Sequence, residues 1–430
     1  MKRFLISSAL LLIFSVDQSL AQTDITIRGA QAGFPVAIAQ LCDAGEAADK
    51  AKEIAKTIAK DLEVSGLFKV LPSESYLETP GKCGDLDGVA FSDWSVIGAE
   101  ALVKGEVTRK GSDISVRLVL FDVLQQRSVL GKVYDANHGD HVRVAHKFAN
   151  EIVGFFSGEK GVFGSQIAFI AQVGRFKELF IMDSDGSNVR QLTQDKGLVV
   201  SPSWSPRGDK IVYTSYKTRQ PELYIIGPDG GSATQVTDRK GLELGAKFTQ
   251  DARSLVASAS VAGLTNLVMF DLRGRLLRKV SNSSSIDVSP SLAPDGEQLA
   301  FCSNRAGGPQ IYVSSIRGGE ARRISFTPSD YCTSPSWSPK GDKIAFVCRA
   351  SGNQIFMSSP NEREVLQLTF QGNNEDPNWS PDGRYIIFSS DFGRGGVRNI
   401  ALLNVQTGEI KQLSFGKRNE VQPAWSPPLE

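Results

Sequence analysis

The most regular feature of the chain is a hydrophobic pattern that repeats along its C-terminal part. Each repeat ends with an apolar residue followed by Thr or Ser. The members of this series are Leu192-Thr193, Val236-Thr237, Val280-Ser281, Ile324-Ser325, Leu368-Thr369 and Leu413-Ser414. The steps between the hydroxyl residues are 44, 44, 44, 44 and 45. A period of this length over more than half of the chain indicates a repeat architecture.

Each repeat is built from short β-strands. Runs rich in β-branched and aromatic residues, such as Lys210 to Tyr213 and Gln310 to Val313, are separated by Gly and Pro. These breaks come at intervals of about 8 to 12 residues, which is too short for helical repeats. Four short strands in each unit predict the blades of a β-propeller.

The first strand of each unit carries a large apolar residue at a fixed place. Its copies are Trp204, Phe248, Leu292, Trp337, Trp379 and Trp425, which indicates a packing position. A turn of the form Ser-Pro-x-Gly follows, as in Ser205 to Gly208, where Pro fixes φ and Gly accepts a positive φ. The copy at Thr249 to Ala252 lacks both residues, so we expect a different turn there.

The two ends of the array predict how the ring closes. The first unit starts at its second strand, Gln166 to Phe169, and the last residues, Gln422 to Pro427, supply the missing first strand. Ser165 to Pro428 spans 264 residues, which is six times 44. We therefore predict an all-β, six-bladed propeller that is closed by a C-terminal strand, which leaves no exposed sheet edge at the closure.

The segment before the repeats has the pattern of a small α/β domain. An apolar face recurs at helical spacing from Ala47 to Leu62 and again from about His141 to Phe156. Strands are predicted at Phe68 to Leu71, Ala101 to Val107, Ile114 to Val123 and Val129 to Tyr134. Gly158 to Gly161 is the predicted junction. The predicted domains are residues 22–161 and residues 162–430, after a segment of residues 1–21.

That first segment is typical of a secretory signal peptide. Lys2 and Arg3 precede an apolar run from Phe4 to Val16, and the small residue Ala21 marks the expected cleavage site. A retained membrane anchor is the alternative, but an apolar run of about 13 residues is shorter than the roughly 20 needed to span a bilayer. We therefore expect an exported protein without direct membrane insertion.

The charge of the mature chain excludes a global electrostatic attraction to a partner. The sequence has 48 basic and 47 acidic residues, and removal of the signal peptide takes away two basic residues and one acidic residue, which leaves 46 of each. A balanced chain has no net field that draws it to nucleic acid or to anionic lipid. Binding is therefore expected to depend on local surfaces, and nucleic acid is not an expected partner.

Five cysteines make disulfides possible in an exported chain. Cys42 and Cys83 are one possible pair in the first domain. Two of Cys302, Cys332 and Cys348 are a possible pair in the second. Buried free thiols are an equally acceptable interpretation.

Sequence motifs for catalysis are not found. The three histidines, His138, His141 and His146, all precede the repeats, and no soft ligand stands beside them for a metal site. Asp183 to Gly186 is better explained as a hairpin turn than as a calcium loop. We therefore predict no catalytic residues, no metal and no cofactor.

Two regions remain as candidates for protein binding. Loops that open near the propeller axis contribute Glu243, Asp287, Arg305, Tyr331, Asn374, Glu375 and Glu420, which we call the axial rim. Its mixture of acids, amides, aromatics and Arg suits a protein-binding surface. The mature N-terminus, Gln22, Thr23, Asp24, Ile25, Thr26 and Ile27, alternates polar and apolar residues like a strand. Such a segment either adds to the edge of a partner's sheet or packs on its own domain.

The chain resembles the TolB family of the bacterial Tol-Pal system over nearly its whole length. The resemblance rests on the signal peptide, on Ala99 to Gly105 and Arg143 to Lys147, on the junction Gly158 to Phe163, and on the Pro-x-Trp-Ser-Pro-x-Gly units. The chain departs from the family at Asn150, where an acid is expected, and in a degraded repeat from Leu244 to Ala252.

This resemblance implies a monomeric, non-enzymatic adaptor in the periplasm. Members of the family bind the lipoprotein Pal at the axial opening of the propeller and TolA through the mature N-terminus, in support of outer-membrane integrity and constriction at cell division. Carried over, Gln22 to Ile27 would contact TolA and the axial rim would contact Pal. The alternative is a propeller-based hydrolase or lyase that uses carboxylates of the channel.

Overall fold

The computed structural model describes residues 33–43, 47–77, 86, 88–137, 139–159, 161–239, 241–261, 263–392 and 396–428. The predicted signal peptide, the segment Gln22 to Ile27, His138 and Cys83 lie outside these residues. All structural statements below concern the described part of the chain.

The N-terminal part of the described chain is an α/β unit. Its strands are β1 (Phe34–Ile38), β2 (Cys42–Asp43), β3 (Phe68–Val70), β4 (Ala101–Lys110), β5 (Asp113–Asp122) and β6 (Arg127–Asn137), and its helices are α1 (Ala48–Val64), α2 (Phe91–Val96) and α3 (His141–Ser157), with a 3₁₀ turn at Ser73–Ser75. The strand order is β3-β1-β4-β5-β6, and β2 pairs with β4. The central strand β1 is parallel to β3 and to β4.

Both faces of this sheet are covered. The helices α1 and α3 pack together on one face, where Ile54 and Phe148 are completely buried. Trp94 of α2 covers the other face with Leu102 and Phe121. Because successive strand residues point to opposite faces, β4 supplies apolar residues to both layers.

The predicted helices and strands of this unit are found, with ends shifted by a few residues. The structure adds β1, β2 and α2, which the sequence pattern did not reveal because they are short. The buried face of α3 includes His141 and His146, whereas Val142 is only partly buried. Asn150 occupies the place of the expected acid, and its amide both donates to Phe163 O (2.8 Å) and accepts from Phe163 N (2.9 Å), which a carboxylate could not do.

The C-terminal part is a ring of six four-stranded antiparallel sheets, written here from the innermost to the outermost strand. Blade 1 is Glu420–Trp425, Gln166–Val173, Phe176–Asp183 and Arg190–Gln191; blade 2 is Val199–Trp204, Ile211–Ser215, Glu222–Gly227 and Gly230–Gln235; blade 3 is Glu243–Phe248, Ser254–Val261, Leu264–Asp271 and Leu276–Lys279; blade 4 is Asp287–Leu292, Gln298–Ala306, Gly308–Ser315 and Arg322–Arg323; blade 5 is Cys332–Trp337, Ile344–Ala350, Gly352–Ser358 and Val365–Gln367; blade 6 is Asn374–Trp379, Tyr385–Ser390, Asn399–Asn404 and Ile410–Gln412.

The ring closes as predicted. The C-terminal strand of blade 1 pairs antiparallel with its second strand, with Trp425 opposite Ile167 and Glu420 opposite Ala171. The apolar core of the ring is divided among the seams between neighbouring blades. Ile167 faces the seam with blade 6, and the next residue, Ala168, faces the seam with blade 2. Each blade therefore stabilises both of its neighbours.

The repeated hydroxyl residue connects the outermost strand of each blade to the third strand. Its Oγ accepts a hydrogen bond of 2.9 or 3.0 Å from a backbone N–H of the third strand. The donors are Leu179, Leu223, Leu267, Ile311, Ile355 and Ile400, and the acceptors are Thr193, Thr237, Ser281, Ser325, Thr369 and Ser414. This bond explains why the hydroxyl recurs with the period of the fold, since it satisfies a buried donor in every blade.

The expectation of a different turn at Thr249 to Ala252 is wrong. The N–H of Ala252 donates to Thr249 O at 2.8 Å, as the N–H of Gly208 donates to Ser205 O at 3.0 Å. Ala252 takes a φ of 56°, close to the 71° of Gly208. The surrounding hairpin therefore imposes the left-handed conformation on an alanine, which is strained there.

One of the open cysteine pairings is formed. Cys332 and Cys348 lie opposite each other on neighbouring strands of blade 5, with Cα atoms 4.1 Å apart, and are joined by a disulfide. Cys302 is a buried free thiol, and burial raises its pKa to about 12. The pairing of Cys42 with Cys83 involves a residue outside the described part of the chain.

Candidate protein-binding rim and axial channel

The innermost strand of every blade has the same β-bulge. Its register shifts between the second residue of the strand and a residue three or more places later. The third residue takes a positive φ between 52 and 62° in all six blades, at Ser201, Gly245, Ser289, Ser334, Asp376 and Gln422. A bulge bends a strand and re-aims its side chains. Here it lines the axial channel with short polar residues.

The channel contains a cation and an anion that come from opposite sides of the ring. A cavity of about 160 Å³ is lined by Lys247 of blade 3 and Asp376 of blade 6, together with serines and prolines of the other blades. Blades 3 and 6 are three places apart in a ring of six, so the two side chains project from diametrically opposed strands. A wider cavity of about 400 Å³, which Lys247 also lines, lies towards the Ser-Pro-x-Gly turns.

The side chains of Lys247 and Asp376 both have shifted pKa values. Burial lowers the pKa of Lys247 to about 8, although Asp376 acts against this shift. Burial raises the pKa of Asp376 to about 6, and the neighbouring charge of Glu375 adds to the rise. The channel is thus a narrow polar space that disfavours charge on the two ionisable groups it contains.

Four of the predicted rim residues begin an innermost strand and are buried. Glu243, Asp287, Asn374 and Glu420 are the first residues of their strands in blades 3, 4, 6 and 1, with exposed fractions of 2, 0, 2 and 4%. Asn374 donates to Gln354 Oε1 (3.0 Å) and accepts from Ser390 Oγ (2.7 Å). These side chains therefore bind their own protein rather than project into solvent.

Each rim carboxylate lies beside an arginine. Arg239 approaches Glu243 at 3.5 Å, Arg305 binds Asp287 at 3.0 Å, and Arg418 approaches Glu420 at 4.0 Å. Arg398 Nη2 donates to Glu375 Oε1 at 3.1 Å. The four arginine side chains are 27 to 41% exposed. The axial rim therefore presents guanidinium groups to solvent beside four carboxylates, of which Glu243, Asp287 and Glu420 are buried.

The rim also presents an aromatic group. The guanidinium carbon of Arg349 lies 4.3 Å from the ring centre of Tyr331. Arg305 stacks in a similar way on Tyr312 at 4.8 Å. Arg305 and Tyr331 were predicted from sequence. The roles of Arg239 and Arg398 were not. Arg239 lies only four residues before its partner Glu243, whereas the partner of Arg398 is identified only by the strand register.

The N-terminal unit occupies the end of the propeller opposite the rim. Lys60 of α1 binds Asp185 in a turn of blade 1 (2.7 Å), and Lys340 in a turn of blade 5 binds Glu159 (2.7 Å). Tyr385 of blade 6 donates to the backbone oxygen of Ser65. These propeller residues lie at or beside the turns that join the first strand of a blade to the second, or the third to the fourth. The axial rim lies at the opposite ends of the strands. The N-terminal unit therefore does not cover the axial rim.

The two histidines in the described part of the chain, His141 and His146, have separate partners. His141 Nε2 lies 2.7 Å from Glu53 Oε2, and His146 Nδ1 lies 2.7 Å from Asp61 Oδ2. Within the described ranges, no group of three or more His, Cys, Asp or Glu side chains is placed to hold a metal ion. No helix of the described chain is long and apolar enough to cross a membrane.

Family models match both parts of the chain. A model described as TolB beta propeller domain matches residues 155–429, and one described as TolB amino-terminal domain matches residues 23–129. The first of these covers more than half of the 430 residues.

Curated relatives match part of the chain. A Tol-Pal system protein TolB of Jannaschia sp. (strain CCS1) is 37% identical over 190 residues, which are 43% of this chain and 42% of the relative. A protein of the same name from Syntrophotalea carbinolica is 34% identical over 215 residues, 49% of this chain and 50% of the relative. The chain thus matches half or less of the length of these relatives.

A solved structure shares the fold over most of the chain. The crystal structure of TolB from Acinetobacter baumannii superposes with a TM-score of 0.81 and covers 92% of this chain and 97% of its own, at 24% sequence identity. At this identity the likeness supports the fold alone.

Proposed function

Because the chain belongs to the TolB family, we propose that it is a non-enzymatic adaptor of the Tol-Pal system in the periplasm. In this proposal the axial rim of the propeller binds the lipoprotein Pal, and the mature N-terminal segment, residues 22–27, binds TolA. The adaptor would support outer-membrane integrity and constriction at cell division. The signal-peptide pattern of residues 1–21 supports the location.

The observation that carries the proposal is the open rim opposite the N-terminal unit. Arginines held by buried carboxylates have fixed positions, so they lose little side-chain freedom when they bind. Arg and Tyr are the residue types that contribute most binding energy in protein interfaces. On the rim, the guanidinium of Arg349 stacks on the ring of Tyr331, which places an Arg and a Tyr side by side.

The rim is tested by substituting this pair. The mature chain, its Tyr331→Ala/Arg349→Ala variant and a Val133→Ala control are titrated with the purified soluble domain of Pal by calorimetry. Val133 is 64% exposed on the N-terminal unit, far from the rim. We expect the double variant to bind Pal at least about tenfold more weakly, since each tenfold step is 1.4 kcal/mol. Equal affinity of all three proteins would contradict the role of the rim.

The N-terminal part of the proposal needs its own experiment. Deletion of residues 22–27 is expected to abolish binding to the C-terminal domain of TolA. The affinity of the deleted chain for Pal is measured as well, and it reports whether the propeller is intact. Undiminished binding of TolA by the deleted chain would exclude this segment as the contact.

The alternative, a hydrolase or lyase that uses the channel, is favoured by one observation. Asp376 and Lys247 face the same narrow cavity with pKa values moved towards neutrality, as acid-base pairs often have. Turnover of a periplasmic glycan or peptide that is lost in Asp376→Asn, with Pal binding retained, would favour this alternative over the adaptor.

A further inference from the structure

The residue directly after the repeated hydroxyl differs between the two halves of the ring. In all six blades this residue is exposed. Three consecutive blades carry Gln194, Asp238 and Asn282, and the next three carry Phe326, Phe370 and Phe415. The three phenylalanines are 40, 66 and 77% exposed. We call them the phenylalanine arc.

The arc lies at three consecutive seams of the propeller. Each phenylalanine is in the connection from the outermost strand of one blade to the innermost strand of the next. At the seam between blades 4 and 5, Arg323 and Arg363 approach the ring of Phe326, at 5.7 and 5.1 Å from its centre. Since Arg363 belongs to blade 5, both blades contribute to this site. The members of the arc follow outermost strands, whereas the residues of the axial rim begin innermost strands at the other end of the same connections, so the two surfaces adjoin.

A groove begins at the last member of the arc. At the seam between blades 6 and 1, Phe415, Leu413 and Val189 line a groove of about 620 Å³. Its border includes Lys417 and the pair Arg418 and Glu420 of the axial rim. Val189 is itself 46% exposed. The groove is large enough to take one or two apolar side chains from a partner and has basic groups beside it.

Packing of the fold does not require phenylalanine at these positions. Polar residues occupy the equivalent positions of three blades without any change in strand order. An exposed phenylalanine ring forgoes the stabilisation that its burial in a core would contribute. Three such rings in a row, with a groove beside one of them, have the character of an interaction surface.

The charges of the arc decide which partner fits it. Lys417 and Arg418 border the groove, and arginines cover Phe326. A two-fold interface between the arcs of two copies would bring the same cationic patch together from both sides. A flat anionic membrane would meet the exposed carboxylates of Glu362 and Glu364 beside Arg363 and would leave the groove empty. A peptide segment can instead place its carboxylates at Lys417 and its apolar side chains in the groove.

We propose that the phenylalanine arc is a second docking surface, which takes a protein segment that carries carboxylates beside large apolar side chains. This surface does not depend on the adaptor role of the rim. Phe370 and Phe415 contact the apolar side chains, and Lys417 contacts a carboxylate.

The arc is tested by photo-crosslinking of the full chain in cells. A photoreactive phenylalanine analogue replaces Phe370, Phe415 or, as a control, Leu124, which is 69% exposed on the N-terminal unit. The cross-linked peptides are identified by mass spectrometry. We expect the same protein to be cross-linked at Phe370 and at Phe415 but not at Leu124. The cross-linked segment of that protein should contain Asp or Glu next to apolar residues. Lys417→Glu is expected to lower the yield at Phe415 at least fivefold.

Several results would overturn the proposal. These are adducts with lipid, adducts with a second copy of the chain, different proteins at the two arc positions, no adduct at all, or a yield that Lys417→Glu does not change. Binding of purified Pal to Phe370→Ser/Phe415→Ser separates this surface from the rim. An affinity within twofold of the parent is expected, and a loss comparable to that of the rim variant would show that the arc is not a separate surface.

Discussion

The imidazole Nδ1 of His146 lies 2.7 Å from the carboxylate Oδ2 of Asp61, and both residues are almost completely buried. The pair joins α3 to α1 close to the propeller, because Lys60, the neighbour of Asp61, binds Asp185 of blade 1. Asp61 Oδ1 has no hydrogen-bond partner among the described residues. The contribution of such a buried pair to stability depends on whether the histidine is charged.

The first prediction is that this pair makes stability depend on pH. Burial by itself lowers the pKa of His146, but the hydrogen bond and charge of Asp61, with the charges of Asp185 and Asp183, outweigh it and raise the pKa. Burial raises the pKa of Asp61 to about 6, although His146 and Lys60 act against it. Because both pKa values are raised, the folded protein binds protons more tightly than the unfolded chain. The contribution of His146 is therefore complete below its unfolded pKa and is lost as pH rises through its folded pKa.

Thermal unfolding of His146→Gln measures this contribution. We expect the variant to lose about 3 kcal/mol at pH 6, and the difference from the parent to shrink as pH rises towards 9. His141→Gln is the control, since its partner Glu53 is half exposed and an exposed pair contributes little. A loss for His146→Gln that stays constant over this pH range would contradict the ion pair.

The second prediction concerns the strained turn of blade 3. Ala252→Gly is expected to raise the free energy of unfolding by about 0.5–1 kcal/mol, because glycine accepts the left-handed φ that alanine takes at a cost. The matched control is Gly296→Ala at the equivalent position of blade 4, where φ is 71° and an added Cβ would meet only Gln250 at 3.7 Å. Denaturant unfolding should show opposite signs for the two variants. The same sign for both would exclude backbone strain as the cause.

The third prediction concerns the repeated hydroxyl. Thr369 accepts from Ile355 N at 2.9 Å and donates to Gln354 Oε1 at 2.8 Å, and it is 1% exposed. Thr369→Val keeps the shape but leaves a buried N–H without a partner, which should cost about 1–3 kcal/mol of unfolding free energy. Thr369→Ser retains the hydroxyl and should cost less. An equal cost for the two substitutions would indicate that the methyl group, not the hydrogen bond, is what matters.

The fourth prediction concerns the disulfide of blade 5. The bond closes a loop with a sequence separation of 16, so its removal in Cys332→Ser/Cys348→Ser should lower the free energy of unfolding by about 2–3 kcal/mol. Cys302→Ser serves as the control for a buried cysteine without a bond. Because Cys42 is also disulfide-bonded, a reducing agent should lower the free energy of unfolding of the parent by at least this amount. If reduction has no effect on the parent, the bond does not contribute to stability.

The sequence predicted the ring because its signal is periodic. A period of 44 residues, a missing strand at one end and an extra strand at the other determine six blades and their closure. The longer helices α1 and α3 followed from their apolar faces. The strand β1 and the helix α2 were missed, since five or six residues are too few to define a period.

The sequence by itself determined which residues hold the scaffold, because packing, turn and hydrogen-bond positions recur and can be aligned with one another. It also indicated the loops that form the rim. Tertiary structure decided which groups reach solvent. Glu243 and Asp287 look like surface acids in the sequence, but strand register buries them beneath Arg239 and Arg305. Lys247 and Asp376 face the same channel from opposite sides, and His146 contacts Asp61. The members of each pair are far apart in the chain, and only the closed ring and the packed helices bring them together.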